Sequence, residues 1–290
     1  MVDHETLACL DGLQWLRTGD RAAELFGCSQ SRISRGSRQV QQIFGITCCR
    51  NEGEWQLHGD LELLMAERQV HQLFRWRSGT MPLRLEAAYW INPLLPQRPV
   101  GWIKGLCDLV GIQRPMQLLR ERIIDGWITS LPDVPDDTDS EFAVFPLYSM
   151  PVHLLVAPDH PLLNKTEISL ASLSDFPSLA LPEGAYPKVE ACLKSIGLWS
   201  DPVRMARYRE DRWEGHAADQ LVIAYGTALS MQACELPLKR LPLTLPLEYG
   251  DAFVVRREFG DYPQVQNLIQ FLLAAMEPLL QQYPEIQLLS

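Results

Sequence analysis

The sequence predicts a multidomain chain with an all-α head closed by a small hairpin, one amphipathic linker helix, and an α/β body. Three observations carry that prediction. The first 45 residues repeat their apolar positions with a helical period and turn tightly at Gly27. Residues 60–77 then carry a single apolar stripe, and Ser78, Gly79 and Pro82 break it. Beyond that break, strand-like and helix-like runs alternate to the end of the chain.

In the head, Leu7, Leu10, Leu13 and Trp15 mark a first helix, Ala22, Leu25 and Phe26 a second, and Ile33, Val40, Ile43 and Phe44 a third. The run from Ala22 to Arg35 reads as helix, turn at Gly27, and helix opening at Ser29. Its paired alanines permit close crossing, and the Ser29 hydroxyl suits an N-cap. Ile46–Arg50 and Trp55–His58 flank Asn51-Glu52-Gly53-Glu54, which is turn chemistry and predicts a wing.

In the body, Leu83–Trp90 begins a strand-rich section. Further strands are expected at 100–104, 126–130, 152–157, 178–181, 221–224 and 252–256, with parallel pairing. Helices are expected at 113–124, 188–196 and 264–282, and the Pro- and Asp-rich stretch 131–141 reads as a solvated loop.

Composition narrows the function. The chain has 290 residues, 47% of them apolar and 21% charged, enough for substantial cores. Its apolar runs stop far short of the roughly 20 residues of a membrane span. Asp3, His4 and Glu5 stand where a secretory signal would be basic, so a cytoplasmic location is expected. Seven scattered cysteines form neither a paired framework nor a zinc spacing; a redox pair of Cys192 with Cys234 has no support in the sequence.

The net charge of −10 excludes a whole-surface nucleic-acid binder, but its distribution matters more than its sum. Between Leu25 and Asn51 there is no acidic residue, while Arg32, Arg35, Arg38 and Arg50 fall inside that window. A local basic face on an acidic protein suits a DNA-reading head on an acidic sensing body.

The order of helix-turn-helix, wing, long helix and α/β body resembles the LysR-type transcriptional regulators. The residues that carry the resemblance are Ala22-Ala23-Glu24-Leu25, Ser29-Gln30, Ile33-Ser34-Arg35, Val40 with Phe44-Gly45, and Arg50. Weaker landmarks follow at Asp125–Ile128, His160-Pro161-Leu162 and Leu221–Gly226. The resemblance implies a winged helix-turn-helix DNA-binding domain over 1–59, a linker and dimerisation helix over 60–78, and a two-lobed, periplasmic-binding-protein-like effector domain over 79–290. Lobe I would comprise about 82–155 and 257–290, and lobe II about 156–256. It further implies a homodimer or homotetramer that holds double-stranded promoter DNA and responds to a small-molecule effector between the lobes.

By position, Ser29, Gln30, Ser31, Arg32, Ser34 and Arg35 would read the major groove or its flanking phosphates, with Arg38 and Arg50 on phosphates. Effector contacts would come from strand ends and helix starts: Tyr89, Trp90 and Asn92; Thr129 and Ser130; Glu183, Gly184 and Tyr186; and Tyr225 with Gly226. The aromatic rim favours a planar or apolar metabolite over an inorganic ion.

The chain departs from the family's pattern in four places. Gly36-Ser37 softens the third helix, Gly costing roughly 1 kcal/mol relative to Ala, so DNA contact is expected to help order it. Gln41-Gln42 replaces acidic residues, and Thr47-Cys48-Cys49 replaces a more hydrophobic pair. Residues 91–99 hold three prolines where the family has a full helix, which argues against a long regular helix there. That helix normally helps to build the cleft and a subunit interface.

The cluster Glu210–Asp219 holds the atoms for metal or acid–base chemistry but matches no metal spacing, and reads as a charged loop. No nucleophile elbow, phosphate loop or triad appears. Neither catalytic residues nor a metal or cofactor are expected. The alternatives are a DNA-binding regulator whose effector domain has become ligand-independent, and a solute-binding or enzymatic α/β protein with an incidental helical N-terminal domain.

Overall fold

The structure, a computed structural model, describes residues 2–51, 53–95, 99–136, 138–209, 212, 221–233 and 236–289. Each helix of the head starts on a side-chain cap, as the local chemistry dictates. Asp3 accepts the Thr6 amide at 2.8 Å to open α1 (His4–Leu16), Thr18 caps α2 (Gly19–Phe26), and Ser29 accepts the Arg32 amide at 3.3 Å to open α3 (Gln30–Phe44). Gly27 closes α2 at φ 63°, a conformation that costs glycine nothing.

Within α3 the helix runs unbroken through Gly36, contrary to the softening expected there. A Cβ at Gly36 would lie 2.6 Å from the Cys9 sulfur and 2.8 Å from the Cys9 Cβ. The glycine therefore lets α1 cross α3 closely, and this packing supports the helix. Leu10, Trp15, Ala22, Ala23, Ile33 and Val40 are buried at these crossings.

The wing is an antiparallel pair, β1 (Thr47–Asn51) with β2 (Glu54–His58), and the Trp55 indole N–H donates to the Arg17 carbonyl at 2.8 Å to pin it to the head. The linker helix α4 (Glu62–Ser78) follows.

In the body, β3 (Leu83–Ala87) lies parallel to both β4 (Trp102–Lys104) and β5 (Gly126–Leu131). Tyr89–Leu94 form a short 3-10 turn, in keeping with the prolines that follow. Two long strands, β6 (Phe142–Val156) and β10 (Lys239–Arg256), pair antiparallel and pass from one lobe to the other. The sheet order is β11-β6-β10-β5-β3-β4, where β11 is Gln287–Leu288, and β9 (Ala224–Gly226) also joins β6. The sheet is thus mixed, not parallel as expected.

The strands expected at 152–157 and 252–256 are only the ends of β6 and β10, the one expected at 221–224 begins at Ala224, and the helix expected at 113–124, α5, covers Gln113–Arg120. Pro146, Pro151, Pro242 and Pro246 lie inside the long strands. The β10 register shifts fall beside Pro242 and Pro246, and at Asp251/Ala252 opposite Pro146, as a residue without an N–H requires.

The second lobe adds α6 (Leu170–Leu173), β7 (Leu179–Ala180) parallel to β8 (Asp201–Pro202), α7 (Pro187–Ser195) and α8 (Ala228–Ala233). The C-terminal helix α9 (Pro263–Gln282) returns to the first lobe, where Leu268, Leu272 and Met276 pack with Trp76, Leu85, Ile128 and Phe253.

A second cluster joins the head to that lobe: Trp15, Ala22 and Ile33 pack with Leu118, Leu119, Ile123, Trp127 and Phe142. Charges are buried along this seam. Asp11 of α1 binds Arg68 Nε of α4 at 3.0 Å and Arg84 Nη1 of β3 at 2.8 Å. Asp125 accepts both Nε and Nη2 of Arg75, at 2.8 and 2.9 Å, together with Gln72 Nε2 and the Arg84 amide.

Replacing Gly36 by Ala tests the close crossing. At an open helix position the exchange stabilises by about 1 kcal/mol; here it is expected to destabilise by about 1–3 kcal/mol through overpacking against Cys9, read by urea unfolding.

Candidate nucleic-acid interface and interlobe site

Helical period turns Ile33, Gly36, Ser37 and Val40 of α3 inward. That leaves Gln30, Ser31, Arg32, Arg35 and Arg38 exposed and Ser34 half-buried. Ser29 is exposed, but its hydroxyl is engaged by the Arg32 amide and lies 3.0 Å from the Ser31 hydroxyl, so its first role is the cap. Arg32 is paired with the carboxylate of Glu5 on α1. Arg35 Nε reaches back to the Ser31 carbonyl, and Arg50 Nε spans the wing turn to the Gly53 carbonyl, both at 3.3 Å. Among the described residues neither Arg35 nor Arg38 forms an ion pair, so their charge is not neutralised within the head. The role of Glu5 was not legible in the sequence, because it rests on the α1–α3 crossing.

The second site lies where β6 and β10 pass between the lobes. Tyr89 and Trp90 open the 3-10 turn at the end of β3, and Asp251 lies on β10 directly opposite Ser130 of β5. The Trp90 indole N–H donates to Asp251 Oδ1 at 3.1 Å, and the Tyr148 hydroxyl donates to Oδ2. The Ser130 hydroxyl donates to the Tyr249 oxygen at 3.3 Å. The Trp90 ring lies 6.2 Å from those of both Tyr186 and Tyr249, and Tyr89 stacks on Tyr208.

Trp90 and Ser130 thus lie beside Asp251, and Tyr89 and Tyr186 join the site through their ring contacts with Trp90. Strand alternation puts Thr129 on the opposite face of β5 from Ser130. Gly184 donates its amide to Glu190 at 2.8 Å at the start of α7, next to the exposed Glu183. Tyr225 packs with the second-lobe cluster that holds Tyr186, and Ser230 and Leu155 fill the space beside Gly226. The Asn92 side chain lies outside the described residues, as do Cys234 and all of 210–219 except Arg212.

Asp251, Tyr148, Tyr208 and Tyr249 were missed. Tyr249 and Asp251 fall just before the strand expected at 252–256, whereas both lie inside β10.

Burial pushes the Asp251 carboxyl up to about 7, only partly countered by the hydrogen bonds from Tyr148, Trp90 and Tyr249. Burial likewise raises the Tyr148 and Tyr249 hydroxyls well above their ordinary value. Among the described residues no three His, Cys, Asp or Glu side chains are placed to hold a metal ion, and no helix is long and apolar enough to cross a membrane.

The Asp251 shift has a definite sign. The folded state holds its proton more tightly than the unfolded chain, so this group's stabilisation is complete below about pH 4 and is lost as pH rises to about 7. In urea titrations across that range, the wild type is expected to lose stability relative to Asp251→Asn, whose amide cannot ionise; a constant difference would contradict the assignment.

Comparison with known proteins agrees with this architecture. The LysR substrate binding domain matches residues 109–199. A probable nitrogen assimilation transcriptional activator of Synechococcus elongatus is 25% identical over 197 residues, covering 61% of this chain and 63% of the relative. The match therefore spans less than two thirds of that relative's length. A full-length OxyR variant from Pseudomonas aeruginosa aligns at a TM-score of 0.59 and 19% identity, over 95% of both chains. Full-length BenM gives 0.53 and 17% over 98% of this chain and 99% of its own. Full-length CbnR complexed with its target DNA gives 0.52 and 14%, over 94% and 100%. At these identities the solved structures establish a shared fold.

Proposed function

We propose, on the match of residues 109–199 to the LysR substrate binding domain and on the similar transcriptional activator, that the chain is a LysR-type DNA-binding transcriptional regulator, acting in the cytoplasm on promoter DNA and controlled by a small molecule held between its lobes. In this reading residues 1–59 bind DNA, 60–78 link and dimerise, and 79–290 sense the effector; no step of the function is catalytic. The observation that carries the reading is the exposed face of α3, which has no acid between Gln30 and Phe44 and whose Arg35 and Arg38 form no ion pair among the described residues, on a chain of net charge −10. Such a surface neutralises phosphates and presents Gln30, Ser31 and Arg35 to base edges.

Dimerisation has its own support. The outer side of α4 leaves Leu63, Val70 and Phe74 exposed by 72, 53 and 43%, with Ala66 between them. That near-heptad spacing makes an apolar seam, and a second copy of the helix fits it. Replacing Val70 and Phe74 together by Glu is expected to give monomers in sedimentation velocity, and an unchanged mass would remove this interface.

DNA selected from a random pool by the wild-type chain supplies the probe for the head. Arg35→Ala and Arg38→Ala are each expected to weaken binding and to reduce the slope of log affinity against log salt by about 1. Glu5→Ala, which releases Arg32 from its partner, is expected to strengthen binding. Unchanged affinity and slope in both arginine variants would sink the reading.

A further inference from the structure

Asp251 differs from the buried Asp11, Asp125 and Asp133 in its partners, Asp133 accepting the backbone amides of Lys188 and Val189 at 2.8 and 3.0 Å. Asp11 and Asp125 each bind arginine. Asp251 is as deeply buried, yet its hydrogen-bond donors are an indole and phenols, and no cationic side chain among the described residues pairs with it. A carboxyl group in that position is either neutralised by a proton or completed by a cation brought from outside.

Its surroundings suit the second. Trp90, Tyr148 and Tyr249 bond to it, the rings of Tyr186 and Tyr249 lie 6.2 Å from that of Trp90, and the half-buried Tyr89, 4.8 Å from Trp90, stacks on Tyr208. Aromatic faces carry negative partial charge and attract organic cations, most strongly where water is excluded. An anion would instead meet both those faces and the Asp251 oxygens. The 3-10 turn at Tyr89–Leu94 also forms no α-helical N-terminus that could offer an anion a row of free amides.

Building on the regulator reading above, we infer that the effector class of this chain is a small organic cation, its ammonium or guanidinium group paired with Asp251 and its carbon skeleton held against Trp90, Tyr249 and Tyr89. Trp90, Tyr148 and Tyr249 take three of the roughly four acceptor positions of the Asp251 carboxylate, which leaves one for the ligand's N–H. When the cation enters, the protonated carboxyl releases its proton to solvent and the ion pair replaces it. The groups that face this carboxyl are the Tyr148 and Tyr249 hydroxyls, the Trp90 N–H and, across the strand pair, Ser130. None of the four carries a positive charge in any state.

The test uses the full-length protein and simple probes: benzylammonium, benzyltrimethylammonium and phenylguanidinium, with benzyl alcohol and benzoate as neutral and anionic isosteres. Calorimetry in buffers of different ionisation enthalpy gives both affinity and proton release. The cations are expected to bind about tenfold or more tightly than their isosteres. The primary ammonium and guanidinium probes are expected to release protons below about pH 7 and to gain affinity as pH rises to that value. Asp251→Asn is expected to abolish the preference for cations while leaving binding to the selected DNA intact. A wild type that binds no cation better than its isosteres, or a preference that survives in Asp251→Asn, overturns the inference while the regulator reading stands. Failure of the wild type to bind selected DNA overturns the regulator reading instead.

Discussion

Asp125 lies where the linker helix meets the body, and the placement of three parts of the chain depends on what it holds. Its two oxygens take the fork of Arg75 from α4, the Gln72 amide one turn earlier, and the Arg84 backbone N–H at the start of β3. The Arg84 side chain then passes to Asp11 of α1, which also holds Arg68 of α4. One chain of charge-assisted bonds therefore fixes head, linker helix and first body strand together. The bidentate geometry at Asp125 adds direction to the attraction. Desolvating these ions costs several kcal/mol each, so the seam need not raise net stability. Its effect is on arrangement, because a shifted helix would strand an uncompensated buried charge, a defect worth about 3–5 kcal/mol.

The buried acids Asp11, Glu86 and Asp251 fall into two kinds, and the difference follows from their donors. Burial alone would raise Asp11, but Arg68 and Arg84 hold it below the ordinary carboxylate range. Glu86 and Asp251 are equally buried and take hydrogen bonds from tryptophan indoles instead, Trp15 at 2.6 Å and Trp90 at 3.1 Å. A neutral donor cannot repay the cost of removing a charge from water, and both carboxyls are pushed up to about 7. The arginine-bound acid at the seam stays charged, while one neutralisable acid sits at the joint with the head and the other between the lobes.

The head was largely legible because its signals are local. The Ser29 cap, the left-handed Gly27, the apolar period of three helices and the turn at 51–54 are each readable within a few residues. Gly36 was misread because its meaning lies on another helix, at Cys9. The body was harder for the same reason. Prolines and the Gly250-Asp251 pair disguise β6 and β10 as turns, and only the long-range register that sets Asp251 beside Tyr148 and Ser130 reveals strands. Trp90, Ser130 and Tyr186 could be named from strand ends and helix starts. Asp251, which joins the first two, could not.

The two kinds of acid meet along one strand. In β3, Arg84 and Glu86 hold α1 through Asp11 and Trp15, and only Ala87 and Ala88 separate Glu86 from Tyr89 and Trp90 at the interlobe site. Leu83–Ala87 are fully buried and bonded on both sides, by β4 and β5, so the strand has little freedom to absorb a displacement at one end without passing it to the other. A ligand acts on such a connection only through the difference in its affinity for two arrangements. Trp90 is the side chain where that difference can arise, since it bonds to Asp251, contacts Tyr186 of the second lobe, and stands at the end of the strand that grips the head. Thermodynamic reciprocity then requires that any change an interlobe ligand makes in the head's affinity for a partner is matched by an equal change, from that partner, in the ligand's own affinity.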